Sequence, residues 1–173
     1  IVADQAHFSA IRTLSRTLGP VMGPFESYLT MRGIKTLALR YERQCANARK
    51  LAAWLKSQPG IERVYFPEDP NHPDAANIAR LFPAERFGGL IAFEIKGADR
   101  AGVFRFMERL KMVVRATSLG DVHTMILYPA MASHRDLSPK HRERLGIHNN
   151  LVRVSVGIEA IEDIIEDFAQ ALG

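Results

Sequence analysis

The chain has 173 residues, enough for one domain with a sizeable core, or for one domain and an appendage. Its composition, 47% hydrophobic and 24% charged, is that of an ordinary globular protein and excludes a fibrous or disordered chain. The formal charge of +4 favours small anions slightly and is too diffuse to imply nucleic acid, and no apolar run approaches the length of a membrane span.

Residues 1–3 read as the tail of a strand that runs into a helix capped by Asp4. The chain has neither an initiator methionine nor a signal-peptide pattern, and the expectation is that a larger protein has been cut here. The first helix extends to about Thr17, with Phe8, Ile11 and Leu14 on one side. "LGPVMGP" (residues 18–24) interrupts it, because Gly and Pro both break helices. One long helical pattern follows, from about Pro24 to Ser57. In it Ile34, Leu37, Tyr41, Cys45, Ala48, Leu51, Ala52 and Leu55 recur at steps of three and four, with Gly33 as a weak point. Cys45 is the only cysteine, so an intrachain disulfide is excluded. Its place in the apolar stripe makes it a core thiol, which suits the cytoplasm.

Pro59-Gly60 ends that helix, and "IERVYF" (61–66) reads as a strand. A loop leads to a short helix from Pro73 to about Leu81. "GGLIAFEI" (88–95) is the clearest strand. Asp99 caps a helix with Val103, Phe104, Met107 and Leu110 on one face, and "MVV" (112–114) and "TMILY" (124–128) are short strands. Ser138-Pro139 starts a helix that Gly146 closes. "LVRVSV" (151–156) is the last strand, and Ile161, Ile164, Ile165, Phe168 and Leu172 form the stripe of the last helix. The order implies an α/β (α+β) layer, a sheet with helices packed on one side.

Three features are candidates for chemistry. In the last strand Val152, Val154 and Val156 point one way, and Leu151, Arg153 and Ser155 the other. Arg153 is then either a solvent-facing residue on the open side of a sheet or an anchor for a carboxylate or phosphate, which a guanidinium grips with two parallel bonds. "RATSLGDVHT" (115–124) holds a turn rich in hydroxyls and N–H groups that either binds an anion or only reverses the chain. His134, His141 and His148 recur every seven residues, with His123 upstream, but match no zinc pattern. P-loop, GxGxxG, GxSxG and HExxH motifs are absent, so the residues alone name no reaction.

Four stretches in order, "GPFESYLTMRGIKTLALRYERQ", "FGGLIAFEIKG", "ATSLGD" and "LVRVSVGIE", resemble the C-terminal part of the Cys/Met-metabolism (trans-sulfuration) family of pyridoxal-phosphate enzymes. That family includes cystathionine γ-synthase, the cystathionine lyases, methionine γ-lyase and O-acetylhomoserine sulfhydrylase. The resemblance implies the small C-terminal domain of the aspartate-aminotransferase-like type I fold. Residues 1–20 would end the large cofactor domain, 21–58 would form a bridging helix, and 59–173 the small domain. It implies that Arg153 binds the α-carboxylate of a sulfur-containing amino acid, with Ser118 and Leu119 beside it. Thr117 stands where cystathionine-specific members tend to carry Glu, which leaves methionine γ-lyase-like or sulfhydrylase-like activity open. "PAMASH" (129–134) stands where many members have "PASMTH", with Ser133 for threonine, and His123 follows the SLG turn where relatives often carry Glu or another residue, which leaves a substrate-side role open.

The resemblance also implies what is missing. The family's Schiff-base lysine lies in an S-x-T-K stretch, and none of Lys35, Lys50, Lys56, Lys96, Lys111 and Lys140 sits in such a motif. The catalytic and cofactor-binding residues would lie upstream, so the chain alone would be inactive and, with its first helices uncovered, prone to self-association. In the full enzyme the resemblance implies pyridoxal 5'-phosphate as cofactor and a dimer or tetramer as assembly, with no nucleic-acid or membrane partner. A standalone amino-acid-binding or assembly module, or a regulatory α/β domain, are the alternatives.

Overall fold

The computed structural model describes residues 4–173, so the strand tail expected at residues 1–3 lies outside the described residues. The chain divides into two compact units, Ile1–Ala38 and Leu39–Gly173.

The first unit is helical. Helix α1 (Gln5–Leu18) starts where expected, because the Asp4 carboxylate accepts the His7 N–H at 3.0 Å. Gly19, with φ of 72°, ends it in the left-handed conformation that glycine adopts without strain. Helix α2 (Pro24–Ile34) takes Pro24 in its first turn. Neither helix buries a residue.

The expected single helix from Pro24 to Ser57 is two helices. A turn at Lys35 and Thr36 separates α2 from α3 (Leu37–Lys56). Gly33 disfavours helix by about 1 kcal/mol relative to alanine, and the break follows within a turn of it. The apolar stripe is likewise split. Ile34, Leu37 and Tyr41 are exposed, whereas Cys45, Ala48, Leu51, Ala52 and Leu55 are in the core.

The second unit is built on one sheet of five strands: β1 (Ile61–Tyr65), β2 (Leu90–Ile95), β3 (Val114–Arg115), β4 (Met125–Leu127) and β5 (Leu151–Ser155). Their order is β1-β2-β5-β4-β3, antiparallel except for the β3–β4 pair. The chain is therefore an α/β protein with a mixed sheet. Val64, Ile91, Phe93, Ile126, Val152 and Val154 point to one face, where α3, α5 (Arg100–Arg109) and α7 (Ile161–Leu172) supply Leu51, Leu55, Val103, Ile164 and Phe168. Two short helices, α4 (Ala75–Leu81) and α6 (Pro139–Arg144), lie in the connections.

Helix α5 corrects one core assignment. The Asp99 carboxylate accepts the Gly102 N–H at 2.7 Å and sets the helix start as expected. The buried stripe is then Val103, Phe106, Met107 and Leu110, and Phe104 lies 37% exposed with its ring edge-on to Tyr128. Positions 103, 106, 107 and 110 follow the helical period, and 104 is a full step off that stripe. The first of the short strands is also shifted, to Val114–Arg115, because Val113 is drawn into the core.

Asp167 on α7 is a buried charge that the apolar stripe did not announce. It is 6% exposed and accepts N–H bonds from Lys111, Met112 and Val113 at 2.8–2.9 Å, which fixes the entry of β3.

Candidate carboxylate-binding site

Alternation along β5 holds as expected, and it puts Arg153 on the face away from the valines. That face is partly covered, although Leu90 beside Ser155 remains 43% exposed. Leu127, Leu151 and Ser155 are buried, and Arg153 is half-buried. Two connections cover it. The chain after β3 returns over the strand, so that Gly120 N–H donates to Ser155 Oγ at 2.9 Å. The chain before β5 brings His148 Nδ1 to within 2.6 Å of Glu94 Oε1. Arg153 is therefore half-buried, neither fully solvated nor enclosed.

The structure brings Arg153 and the SLG turn together across 35 and 36 residues of sequence. Arg153 Nη2 donates to the carbonyls of Ser118 at 3.2 Å and Thr117 at 3.5 Å. Its Nε is buried and has no partner among the described residues, and no carboxylate lies within 4.0 Å of the guanidinium. Thr117, Ser118 and Leu119 are exposed, and among the described residues their N–H groups and hydroxyls have no acceptor or donor in the protein. Such a site offers a positive charge and several open hydrogen-bond donors in one place, the requirement for holding a carboxylate.

The turn lies between two hollows. On one side Leu119 and Ser155 join Tyr41, Phe82, Phe87 and Leu90 around a cleft of about 420 Å³. On the other, Thr117 joins Phe104, Met107, Leu127, Tyr128 and Met131 around a hollow of about 460 Å³. Both are mostly apolar, and Arg153 lines neither.

The other singled-out residues do not converge on Arg153. His123 is exposed and pairs with Asp121 at 3.4 Å. The N–H groups of His123 and Val122, with help from that ring, hold the Asp121 carboxyl below the usual carboxylate range. Ser133 and His134 bond each other at 2.8 Å, His148 goes to Glu94, and His141 lies in the exposed helix α6. Among the described residues no group of three His, Cys, Asp or Glu could hold a metal ion. No described helix is long and apolar enough to cross a membrane.

All six lysines are exposed, and Lys56 is tied to Asp69 at 3.5 Å. None is enclosed beside the Arg153 turn.

The same mixed α/β architecture is found in solved cystathionine lyase chains. The chain superimposes on a solved cystathione gamma lyase (CalE6) from Micromonospora echinospora with a TM-score of 0.91 and 35% identity, over 99% of this chain and 44% of that one. It is 42% identical to the O-succinylhomoserine sulfhydrylase of Pseudomonas aeruginosa, over 91% of this chain and 38% of the relative. It is also 42% identical to an L-methionine gamma-lyase of Fusobacterium nucleatum subsp. polymorphum, over 99% of this chain and 42% of the relative. The family model for Cys/Met metabolism PLP-dependent enzymes matches residues 1–173. The chain belongs to that family, whose members depend on pyridoxal phosphate. It spans about two fifths of the length of these relatives.

Proposed function

We propose that this chain is the substrate-carboxylate-binding part of a pyridoxal-phosphate-dependent lyase or transferase acting on sulfur amino acids in the cytoplasm. It would be the small C-terminal domain of a type I fold, residues 59–173, with residues 21–58 bridging to a large domain whose end is residues 1–20. The observation that carries the reading is the half-buried Arg153 guanidinium, which has no carboxylate partner among the described residues and donates to the carbonyls of a turn whose N–H groups at Thr117, Ser118 and Leu119 have no partner among those residues.

The cofactor, when bound, supplies an electron sink for negative charge developing at the substrate Cα. This chain's residues would do the positioning. Arg153 takes the α-carboxylate, the donors of Ser118 and Leu119 hold its second oxygen, and the amino acid is thereby fixed about its Cα. Thr117, uncharged, leaves the substrate's far end without a carboxylate partner, in keeping with a methionine-like or acylhomoserine-like side chain rather than cystathionine. The six exposed lysines support the further expectation that the chain by itself is inactive and works within a larger, oligomeric enzyme.

The test uses the full-length protein loaded with pyridoxal phosphate, and L-methionine and L-methioninamide as paired probes read by the cofactor's absorbance. Loss of charge-assisted bonds in Arg153→Ala should weaken methionine binding by about ten- to a hundredfold. Methioninamide binding should change little. Equal weakening of both probes, or no preference for the carboxylate in the unsubstituted protein, would overturn the reading.

A further inference from the structure

The turn that faces Arg153 is anchored at its entry and exit. Ala116 N–H donates to the Ile126 carbonyl at 3.2 Å as the chain leaves β3. Beyond the turn, Gln44 Nε2 donates to the Asp121 carbonyl at 2.7 Å, Ile158 N–H donates to the Val122 carbonyl at 2.9 Å, and Thr124 Oγ1 donates to Glu159 at 2.8 Å. Between these anchors, the one bond from the turn's backbone N–H groups to the rest of the protein, among the described residues, is Gly120 N–H to Ser155 Oγ. Gly120 has φ of 80°, so the bond is made where the backbone reverses.

Ser155 is an odd choice for packing. It is 3% exposed and stands cross-strand from Leu90 and Met125. A buried hydroxyl among apolar neighbours costs free energy unless it is bonded, and alanine would fill nearly the same space. The hydroxyl is explained by what it holds. It stands two residues from Arg153 on the same face of the same strand, so one rigid element carries both the cation and the hook for the turn.

We propose that Ser155 is a positioning residue for carboxylate recognition: through Gly120 it sets the distance between the open donors of Ser118 and Leu119 and the Arg153 guanidinium. It does not itself touch the substrate. The inference rests on the carboxylate-binding reading of Arg153.

The experiment uses the full-length, cofactor-loaded protein and the same two probes. The methionine-to-methioninamide affinity ratio does not depend on how much of the protein is folded. Loss of one hydrogen bond in Ser155→Ala should lower that ratio by about five- to tenfold. Ser155→Thr keeps an oxygen on Cβ and should hold the ratio within about twofold of the unsubstituted protein. Equal weakening of both probes in Ser155→Ala, or a threonine ratio as low as the alanine one, overturns the proposal. An unchanged ratio in Ser155→Ala with a lowered ratio in Arg153→Ala overturns it too and leaves the carboxylate reading standing. An unchanged ratio in Arg153→Ala removes that reading and this one together.

Discussion

Glu94 and Arg153 stand on one face of one sheet, on neighbouring strands, and the protein treats their charges in opposite ways. Glu94 has a side chain 7% exposed, and its Oε1 is bonded by both Tyr65 Oη at 2.8 Å and His148 Nδ1 at 2.6 Å. Bonding to that carboxylate adds to burial in raising the Tyr65 hydroxyl above its ordinary pKa. Arg153 is half-buried, donates only to two carbonyls and keeps an unpartnered Nε. A charge taken out of water is costly unless it is paired. Glu94 finds its partners within the fold, and Arg153 is the position that the proposed substrate carboxylate would fill.

Asp167 extends the contrast to the helical side of the sheet and carries the largest expected effect on stability. Asn has only one acceptor oxygen to offer its three backbone donors, so Asp167→Asn should cost about 3 kcal/mol in chemical denaturation. Burial pushes the Asp167 carboxyl up, but the N–H groups of Lys111, Val113 and Met112 and the Gln170 amide outweigh it, and the net pKa is lowered. A carboxyl lowered on folding contributes stability that is complete above its unfolded value of about 3.9 and is lost as pH falls through the folded value. The variant should therefore show a flatter acid limb than the unsubstituted protein. An equally steep limb would mean that the donors do not stabilise the charge.

Next in size is Glu94→Ala, which strips Tyr65 and His148 of their acceptor and should destabilise by about 1–3 kcal/mol. Smallest is Arg153→Met. It loses no ion pair and keeps the apolar stem, so unfolding should shift by less than about 1 kcal/mol in either direction while carboxylate binding is lost. Denaturation curves for the pair decide the comparison. If Arg153→Met proves as destabilising as Glu94→Ala, Arg153 is a structural charge.

The architecture was largely readable before any contact was known, because its signals are local. Asp4, Asp99 and Ser138 each cap a helix through an N–H three residues on. The break between α2 and α3 was announced only by Gly33, and the choice of Phe106 over Phe104 depends on which side of α5 meets the sheet. Asp167 did leave a trace. It falls on the same stripe as Ile164, Phe168 and Ala171, where a carboxylate is out of place unless the fold gives it donors. Ser155 left a weaker one, a hydroxyl on Arg153's face of the strand.

The sequence by itself determined that Arg153 and Ser155 share a face opposite Val152 and Val154, because side chains alternate along any strand whatever surrounds it. It also determined the family, through the ordered SLG and "RVSVGIE" stretches. The tertiary structure alone decided that this face is partly covered, that Glu94 is bonded by Tyr65 and His148 while Arg153 Nε has no partner among the described residues, and that the turn at Thr117–Gly120 lies against the guanidinium. Those facts depend on contacts between residues 29 or more positions apart in the chain, and no local period or propensity encodes which distant donor a charge will meet.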